Sequence, residues 1–193
     1  MRIPLLSGFL MLSLLASAEN LLKNSAFTEL DEHGHPEGWI ISNPVHLERH
    51  SAKVSVEEVV EGDQSIRFLR IEKKAPSENL AVGNQEISFP AGTTAIRIRA
   101  RMRGRDLVAG NENWHVAGVA LTYLFEDGTA RPGNMDKWIR MPEQDSDWEI
   151  YETLIPVRDD ATRASLAFVA QGWQGVHDIQ LIHAQAIRTE LPH

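Results

Sequence analysis

Hydrophobic and polar residues alternate with a period of two along most of the chain. The clearest case is the segment 95–103, in which Ile96, Ile98, Ala100 and Met102 share one parity and arginines occupy the other. Successive side chains of a β-strand point to opposite faces, so this alternation predicts a strand with one apolar and one charged face.

The same reasoning predicts strands along the rest of the chain. Residues 116–125 are nearly all apolar, which indicates a central strand that is covered on both faces. Further strands are predicted at 53–60, 65–71, 148–157, 163–171 and 176–187. Turn residues separate these runs, and no long amphipathic helical pattern follows Ala18. About eight short strands in one domain of this length predict an all-β fold, a β-sandwich with jelly-roll topology.

The first 18 residues have a different character. Arg2 precedes an almost wholly apolar run at 3–15, and Ala-Ser-Ala at 16–18 fits a cleavage motif. The apolar run is shorter than the roughly 20 residues that cross a bilayer. We therefore expect a signal peptide at 1–18, no membrane insertion, and one domain at 19–193 that is secreted or periplasmic.

Composition excludes several classes of function. The chain has 193 residues, no cysteine and a formal net charge of −8. Without cysteine there is no disulfide scaffold, no thiolate nucleophile and no Cys-ligated metal site. An acidic chain is a poor match for the nucleic-acid backbone, which requires a positive surface. Neutral ligands, cations or cationic partners fit this charge better.

Two motifs at opposite ends of the chain carry a family resemblance. NLLKNSAF at 20–27 leads through a polar loop to PEGW at 36–39, and GVHDIQL stands at 175–181. In this order they resemble the galactose-binding-like jelly rolls, in particular the carbohydrate-binding modules attached to bacterial cellulases and xylanases. The resemblance implies that the first and last strands pair and that Trp39 enters the core. It also implies a non-catalytic module that binds a polysaccharide or glycan beside a separate catalytic partner.

The resemblance further implies a structural calcium ion where the two ends meet. Asp178 matches one acidic ligand of the family, whereas Thr28 stands where another acid is usual and Glu29 follows it. Calcium needs six to eight oxygen ligands. Either Glu29 and Asp178 hold the ion, or the site is lost and Asp178 caps a turn.

Aromatic residues in or beside loops are the candidate sugar contacts. Aromatic faces stack on the apolar side of a pyranose ring. Trp114, Trp138 and Trp173 lie in such positions, and each could instead pin a loop. Tyr123, on the predicted central strand, could floor a groove or pack in the core.

A row of arginines occupies the polar parity of the predicted strand 95–103 and continues to Arg105. Bidentate contacts from this row, with Arg99 and Arg101 at its centre, would suit a uronate or a sulfated polysaccharide. The alternative is a solvated sheet face on which the arginines pair across strands with acids. Candidate acids are Glu57, Glu86 and Glu149. The acidic balance of the chain favours this alternative.

No pattern in the sequence indicates catalysis. None of the eight histidines has helix-borne metal-ligand spacing, and no nucleophile, phosphate-binding or dinucleotide motif occurs. No pair of acids stands out as the carboxylates that a glycosidase needs. We therefore expect no enzyme, and two alternatives stay open. One is an envelope scaffold that holds another protein, and the other is a small polysaccharide lyase or hydrolase.

Overall fold

The computed structural model describes residues 19–76, 81–112, 115–124, 137–158 and 160–188. The predicted signal peptide lies outside these ranges. The described elements, in chain order, are β1 (Ile40–Ile41), α1 (Pro44–Arg49), β2 (Ala52–Glu61), β3 (Gln64–Lys73), β4 (Ala81–Ser88), β5 (Thr93–Val108), β6 (Val116–Leu124), β7 (Lys137–Arg140), β8 (Ser146–Pro156), β9 (Arg163–Gln171) and β10 (Gln174–Arg188).

The strands form two antiparallel sheets of five strands each. The first sheet has the order β1-β4-β9-β6-β7, and the second has the order β2-β3-β10-β5-β8. The two inner faces meet in one apolar core. The prediction of an all-β sandwich is thus confirmed. Within the described residues no helix is long and apolar enough to cross a lipid bilayer.

Strand β5 shows why the alternating pattern produces this arrangement. Ile96, Ile98, Ala100 and Met102 are all buried on the inner face of the second sheet. The arginines of the same strand therefore lie on the outer face. Strand β6 is buried at every position except Thr122, as its continuous apolar sequence predicted. Its outer side is covered as well, because Val116 and Ala120 on that face are buried in a small apolar cluster with Val169.

The two ends of the chain pair with each other, as the resemblance implied. Asn20 forms an isolated bridge with Gln185, and the Leu21 N–H donates to the Ala184 carbonyl at 2.8 Å. Trp39 is buried and stacks on Phe168 with ring centroids 4.7 Å apart. Truncating such a buried aromatic residue to alanine typically costs about 3–5 kcal/mol.

One buried amide fixes the N-terminal segment to the first sheet. Gln85 of β4 accepts a hydrogen bond from the Lys23 N–H at 2.8 Å. Its Nε2 donates to the carbonyls of Lys23 and Gly38 at 3.1 and 2.8 Å. Gly38 has a φ of +79°, a conformation that glycine adopts most easily. The PEGW motif therefore helps to hold the N-terminal segment against the first sheet.

Candidate functional site

A row of residues crosses the outer face of the first sheet. Residues directly opposite each other in antiparallel strands point to the same face. Register places these neighbours in line: Ile40 (β1), Asn84 (β4), Ala167 (β9), Ala120 (β6) and Trp138 (β7). We call this set the alanine row. Four strand intervals of about 4.8 Å give it a span of roughly 19 Å.

Trp138 stands at one end of the alanine row, on the edge strand β7. Its half-buried side chain packs against a small apolar cluster of Val116, Ala120 and Val169 that is separate from the main core. Alanine methyl groups rise little above a sheet, so the centre of the row is lower than its two ends. The predicted sugar contact Trp138 therefore lies on a sheet face beside a floor of two alanines, of which Ala120 is buried and Ala167 is half-buried.

Polar groups border the alanine row on one side. The Asn84 Nδ2 donates to the Ser165 Oγ at 3.3 Å, and Ser165 is paired with Thr122 and with Glu86. Glu86 lies 3.4 Å from Arg163, in an exposed ion pair. The side chains along the row itself are uncharged. An indole face, small apolar side chains and adjacent hydroxyl and amide groups can together hold a neutral, partly apolar ligand.

The outer face of the second sheet is built around one carboxylate. Asp178 of β10 is fully buried, and its two oxygens accept hydrogen bonds from Arg70 at 2.7 and 3.0 Å. Arg103 donates to the same carboxylate at 2.6 and 3.1 Å, and Arg105 approaches it at 3.5 Å. Hydrogen bonding to Asp178 raises the pKa of Arg70. Three cations thus enclose a single anion.

This geometry bears on the expected calcium ion. A cation at Asp178 would have to displace three guanidinium groups from two oxygens, so this carboxylate does not fit a calcium ligand. Glu29 is exposed in the N-terminal loop, where its carbonyl accepts a hydrogen bond from Asn24. Among the described residues no group of three or more His, Asp or Glu could hold a metal ion. Structural calcium stays a prediction, which melting with added calcium and with chelator tests.

Two aromatic rings lie among these arginines. Phe68 of β3 and Trp148 of β8 are 5.1 Å apart between ring centroids, although their strands are three intervals, or about 14 Å, apart. The rings therefore lean toward each other over β10 and β5. Arg101 and Arg103 lie over the Trp148 ring at 4.8 and 4.6 Å. Trp148 is half-buried on this outer face.

The arginines do pair across strands, but with other acids than those expected. Arg101 binds Glu61 at 2.9 and 3.0 Å, and Arg97 lies 3.5 Å from Glu152. Asp178, predicted as a metal ligand, is the central partner. Arg99 is half-buried and makes no ion pair with any residue that the structure describes. We call Arg70, Arg99, Arg101, Arg103 and Arg105 the arginine face.

Two predicted sugar contacts are wrong, because both side chains point into the core. Trp173 is 4% exposed and packs edge-on against His177. Gly172 beside it has a φ of +70°, which lets the tight connection turn the indole inward. Tyr123 is 2% exposed and its hydroxyl donates to the Pro156 carbonyl at 2.5 Å. Trp114 lies outside the described residues.

Two buried titratable groups were not predicted from the sequence. Lys73 donates to the Ala170 carbonyl at 2.6 Å, and burial lowers its pKa to about 8. His177 is fully buried, with its Nδ1 3.3 Å from the Met141 sulfur, and burial lowers its pKa to about 4. His177 has the same parity as Ile179 and Leu181, a signal that could have revealed its inward position. Both groups are closed to solvent, so we assign them to packing.

Comparison with known proteins identifies the fold. No family model and no curated protein matches the sequence. Among solved structures, the xylan-binding domain CBM22-1 of Paenibacillus barcinonensis Xyn10C is 10% identical with a TM-score of 0.53, covering 89% of this chain and 97% of that domain. The enzymatically active domain of bacteriophage CBA120 tailspike protein 4 is 13% identical with a TM-score of 0.57, covering 87% of this chain.

The fraction of each matched structure that this chain covers differs widely. This chain spans 21% of the tailspike domain and 26% of MgGH51 α-L-arabinofuranosidase, which is 12% identical with a TM-score of 0.53 over 86% of this chain. It spans nearly all of the xylan-binding domain. At such identities the likeness concerns the fold. The resemblance that the two terminal motifs carry is confirmed at that level: this chain has the jelly-roll β-sandwich of carbohydrate-binding modules.

Proposed function

We propose that this chain is an exported, non-catalytic module that binds a neutral polysaccharide across the alanine row. One observation carries the proposal: a half-buried indole stands in register with two alanines and an amide on one sheet face. The likeness to a xylan-binding domain over almost its whole length supports the same choice.

The chemistry of a sugar chain matches this face. A pyranose presents apolar C–H groups on its faces and hydroxyl groups around its rim. Trp138 offers an indole for the faces, while Asn84, Ser165 and Thr122 offer donors and acceptors for the hydroxyls. A single sugar is much shorter than the roughly 19 Å of the row. An extended chain therefore suits the site better than a monosaccharide.

The expected affinity is modest. Only Trp138 supplies a large stacking surface within the row, and exposed hydroxyl hydrogen bonds gain little over those made with water. We expect a Kd in the micromolar to millimolar range, corresponding to roughly −8 to −4 kcal/mol. Xylan is the first ligand to test, because a xylan-binding domain shares the fold.

Absence of catalysis is part of the proposal. Glycoside hydrolysis by the common mechanism needs two carboxyl groups about 5 to 10 Å apart at the bond that is cleaved. On the described part of this face, the Glu86 carboxylate is ion-paired with Arg163, and the alanine row itself contains no carboxylate. Catalysis would then belong to a separate partner, and the signal-like segment at 1–18 would bring this chain to the same compartment.

Affinity electrophoresis tests the proposal. The wild type, Trp138→Ala and the matched control Trp148→Ala are run in gels that contain arabinoxylan, hydroxyethyl cellulose or no polymer. We expect the wild type and Trp148→Ala to be retarded by a neutral polymer, and Trp138→Ala to run as in the empty gel.

Two results would overturn it. If neither neutral polymer retards the wild type, or if Trp138→Ala is retarded as strongly, the alanine row is not the site. An accompanying assay for reducing sugar ends addresses catalysis. Release of product from the polymer would replace the binding module with an enzyme.

A further inference from the structure

We propose that the arginine face is a second binding site, which takes the carboxylate or sulfate groups of an acidic polysaccharide. It lies on the other side of the sandwich from the alanine row and uses different chemistry. The two proposed sites can therefore be tested independently of each other.

The charges on this face do not balance. Arg70, Arg103 and Arg105 carry three positive charges around the single negative charge of Asp178. Arg101 is balanced by Glu61. Glu152 stands directly opposite Arg99 on β8, but its ion pair is with Arg97. Glu57 and Glu72 attract Arg70 from a distance without reaching ion-pair range of Arg103 or Arg105. Six arginines of this face, Arg97 included, stand against five acids, Glu57, Glu61, Glu72, Glu152 and Asp178. A small positive excess therefore remains on a chain that is strongly negative overall.

Hydrogen-bond donors also remain. Three guanidinium groups carry fifteen N–H donors, and Asp178 accepts five hydrogen bonds from them. The Arg105 contact is the longest of these at 3.5 Å, and its side chain is 49% exposed. Arg99 and Arg105 stand at the two ends of the β5 part of the face, about 20 Å apart along the strand. An extended polyanion can therefore contact several cations at once.

The cationic groups are held in place before any ligand arrives. Trp148 lies beneath Arg101 and Arg103, and Phe68 lies 5.7 Å from the Arg103 guanidinium. Cation–π contacts and ion pairs of this kind reduce the conformational entropy lost on binding. The Trp148 Nε1 is buried and has no hydrogen-bond partner among the described residues.

Apolar side chains beside the arginines favour a saccharide over a small anion. Ile150 pairs directly with Arg101 on the neighbouring strand β8, and it is 55% exposed. Leu154 is 56% exposed further along the same face. Guanidinium groups next to exposed aliphatic side chains match a sugar that bears an acid group and apolar C–H faces.

The test is affinity electrophoresis with three polyanions at low salt. Polygalacturonate presents carboxylates, dextran sulfate presents sulfates, and polyglutamate is a polyanion without sugar. The variant is Arg99→Gln/Arg105→Gln, which leaves Arg70 and Arg103 on Asp178. The matched control is Arg163→Gln, whose exposed ion pair with Glu86 lies on the other sheet. Melting curves verify that each variant is folded.

We expect polygalacturonate or dextran sulfate to retard the wild type and the control alike. The double variant should lose at least tenfold in affinity, and added salt should weaken wild-type binding because exposed charges are screened. Trp138→Ala should bind the acidic polymer as the wild type does, which separates this site from the alanine row.

Three results would overturn the inference. The first is no retardation by either acidic polysaccharide at low salt. The second is equal retardation of the wild type and the double variant. The third is binding of polyglutamate as strong as that of the acidic polysaccharides, which would indicate a site for an acidic protein partner.

Discussion

The two outer faces of the sandwich differ in charge and in the size of their side chains. On the first sheet, the alanine row is neutral, and its centre consists of two small side chains beside Trp138, the buried Ala120 and the half-buried Ala167. On the second sheet, long charged side chains lie over the strands and cover Asp178 completely, although this residue points away from the core. The comparison teaches that one backbone arrangement can carry a neutral surface of small side chains on one side and a dense cationic surface on the other.

Removing the central carboxylate of the arginine face should have the largest effect on stability. Asp178→Asn leaves three guanidinium groups facing one another without a balancing charge. Loss of one partner of a buried ion pair costs about 3–5 kcal/mol in the free energy of unfolding. Urea denaturation measures the loss.

Glu152→Gln is the matched control on the same face, because its pair with Arg97 is exposed. This control should change the free energy of unfolding by less than about 1 kcal/mol. A loss below about 1 kcal/mol for Asp178→Asn as well would show that the cluster is not closed around its carboxylate.

Acid should destabilise the interior between the two faces through His177. Burial lowers its pKa from 6.5 to about 4. Above pH 6.5 the ring is neutral in both states; as the pH falls toward 4, the unfolded chain binds a proton that the folded protein excludes. The free energy of unfolding should therefore fall by about 3 kcal/mol across this window.

Denaturation at several pH values checks this prediction. His177→Leu should flatten the dependence between pH 6.5 and 4, whereas His33→Gln, at an exposed position, should keep it. An unchanged pH profile in His177→Leu would contradict the assigned role of the buried ring.

How much of this could be predicted from the sequence depends on the range of the interactions involved. The β5 arginines follow from the parity of a single strand. The motifs at 20–27 and 175–181 implied that the two ends pair, and the observed partners are Ala184 and Gln185, just beyond the second motif. The alanine row needs the register of five strands, which only tertiary packing fixes. Trp173 was misplaced because the connection at Gly172 turns it inward. The enclosure of Asp178 could not be predicted, because its three arginines come from two other strands.

The two half-buried tryptophans give a smaller effect that compares the faces directly. Trp148 contacts Phe68 and two arginines, whereas Trp138 contacts mainly small apolar side chains. We expect Trp148→Ala to cost about 2 kcal/mol and Trp138→Ala about 1 kcal/mol, both below the values for fully buried aromatics. Urea denaturation of both variants measures the difference, and the reverse order would contradict the comparison.

Filling the low centre of the alanine row should have the smallest effect on stability and a clear effect on binding. Ala167→Leu places a larger side chain on the outer face and should change stability by less than about 1 kcal/mol. Neutral polysaccharide affinity should fall at least tenfold, because the floor is raised. Gln180→Leu on the second sheet is the control, and equal affinities for the two variants would show that the floor is not the binding surface.

Methyl-resolved NMR during titration with a neutral oligosaccharide of xylan tests the central claim most directly. The account predicts that the methyl signals of Ala120, Ala167 and Val169 shift, while those of Ile150 and Leu154 on the opposite face stay in place. Shifts confined to Ile150 and Leu154, or no shift at any of these methyl groups at millimolar ligand, would contradict it.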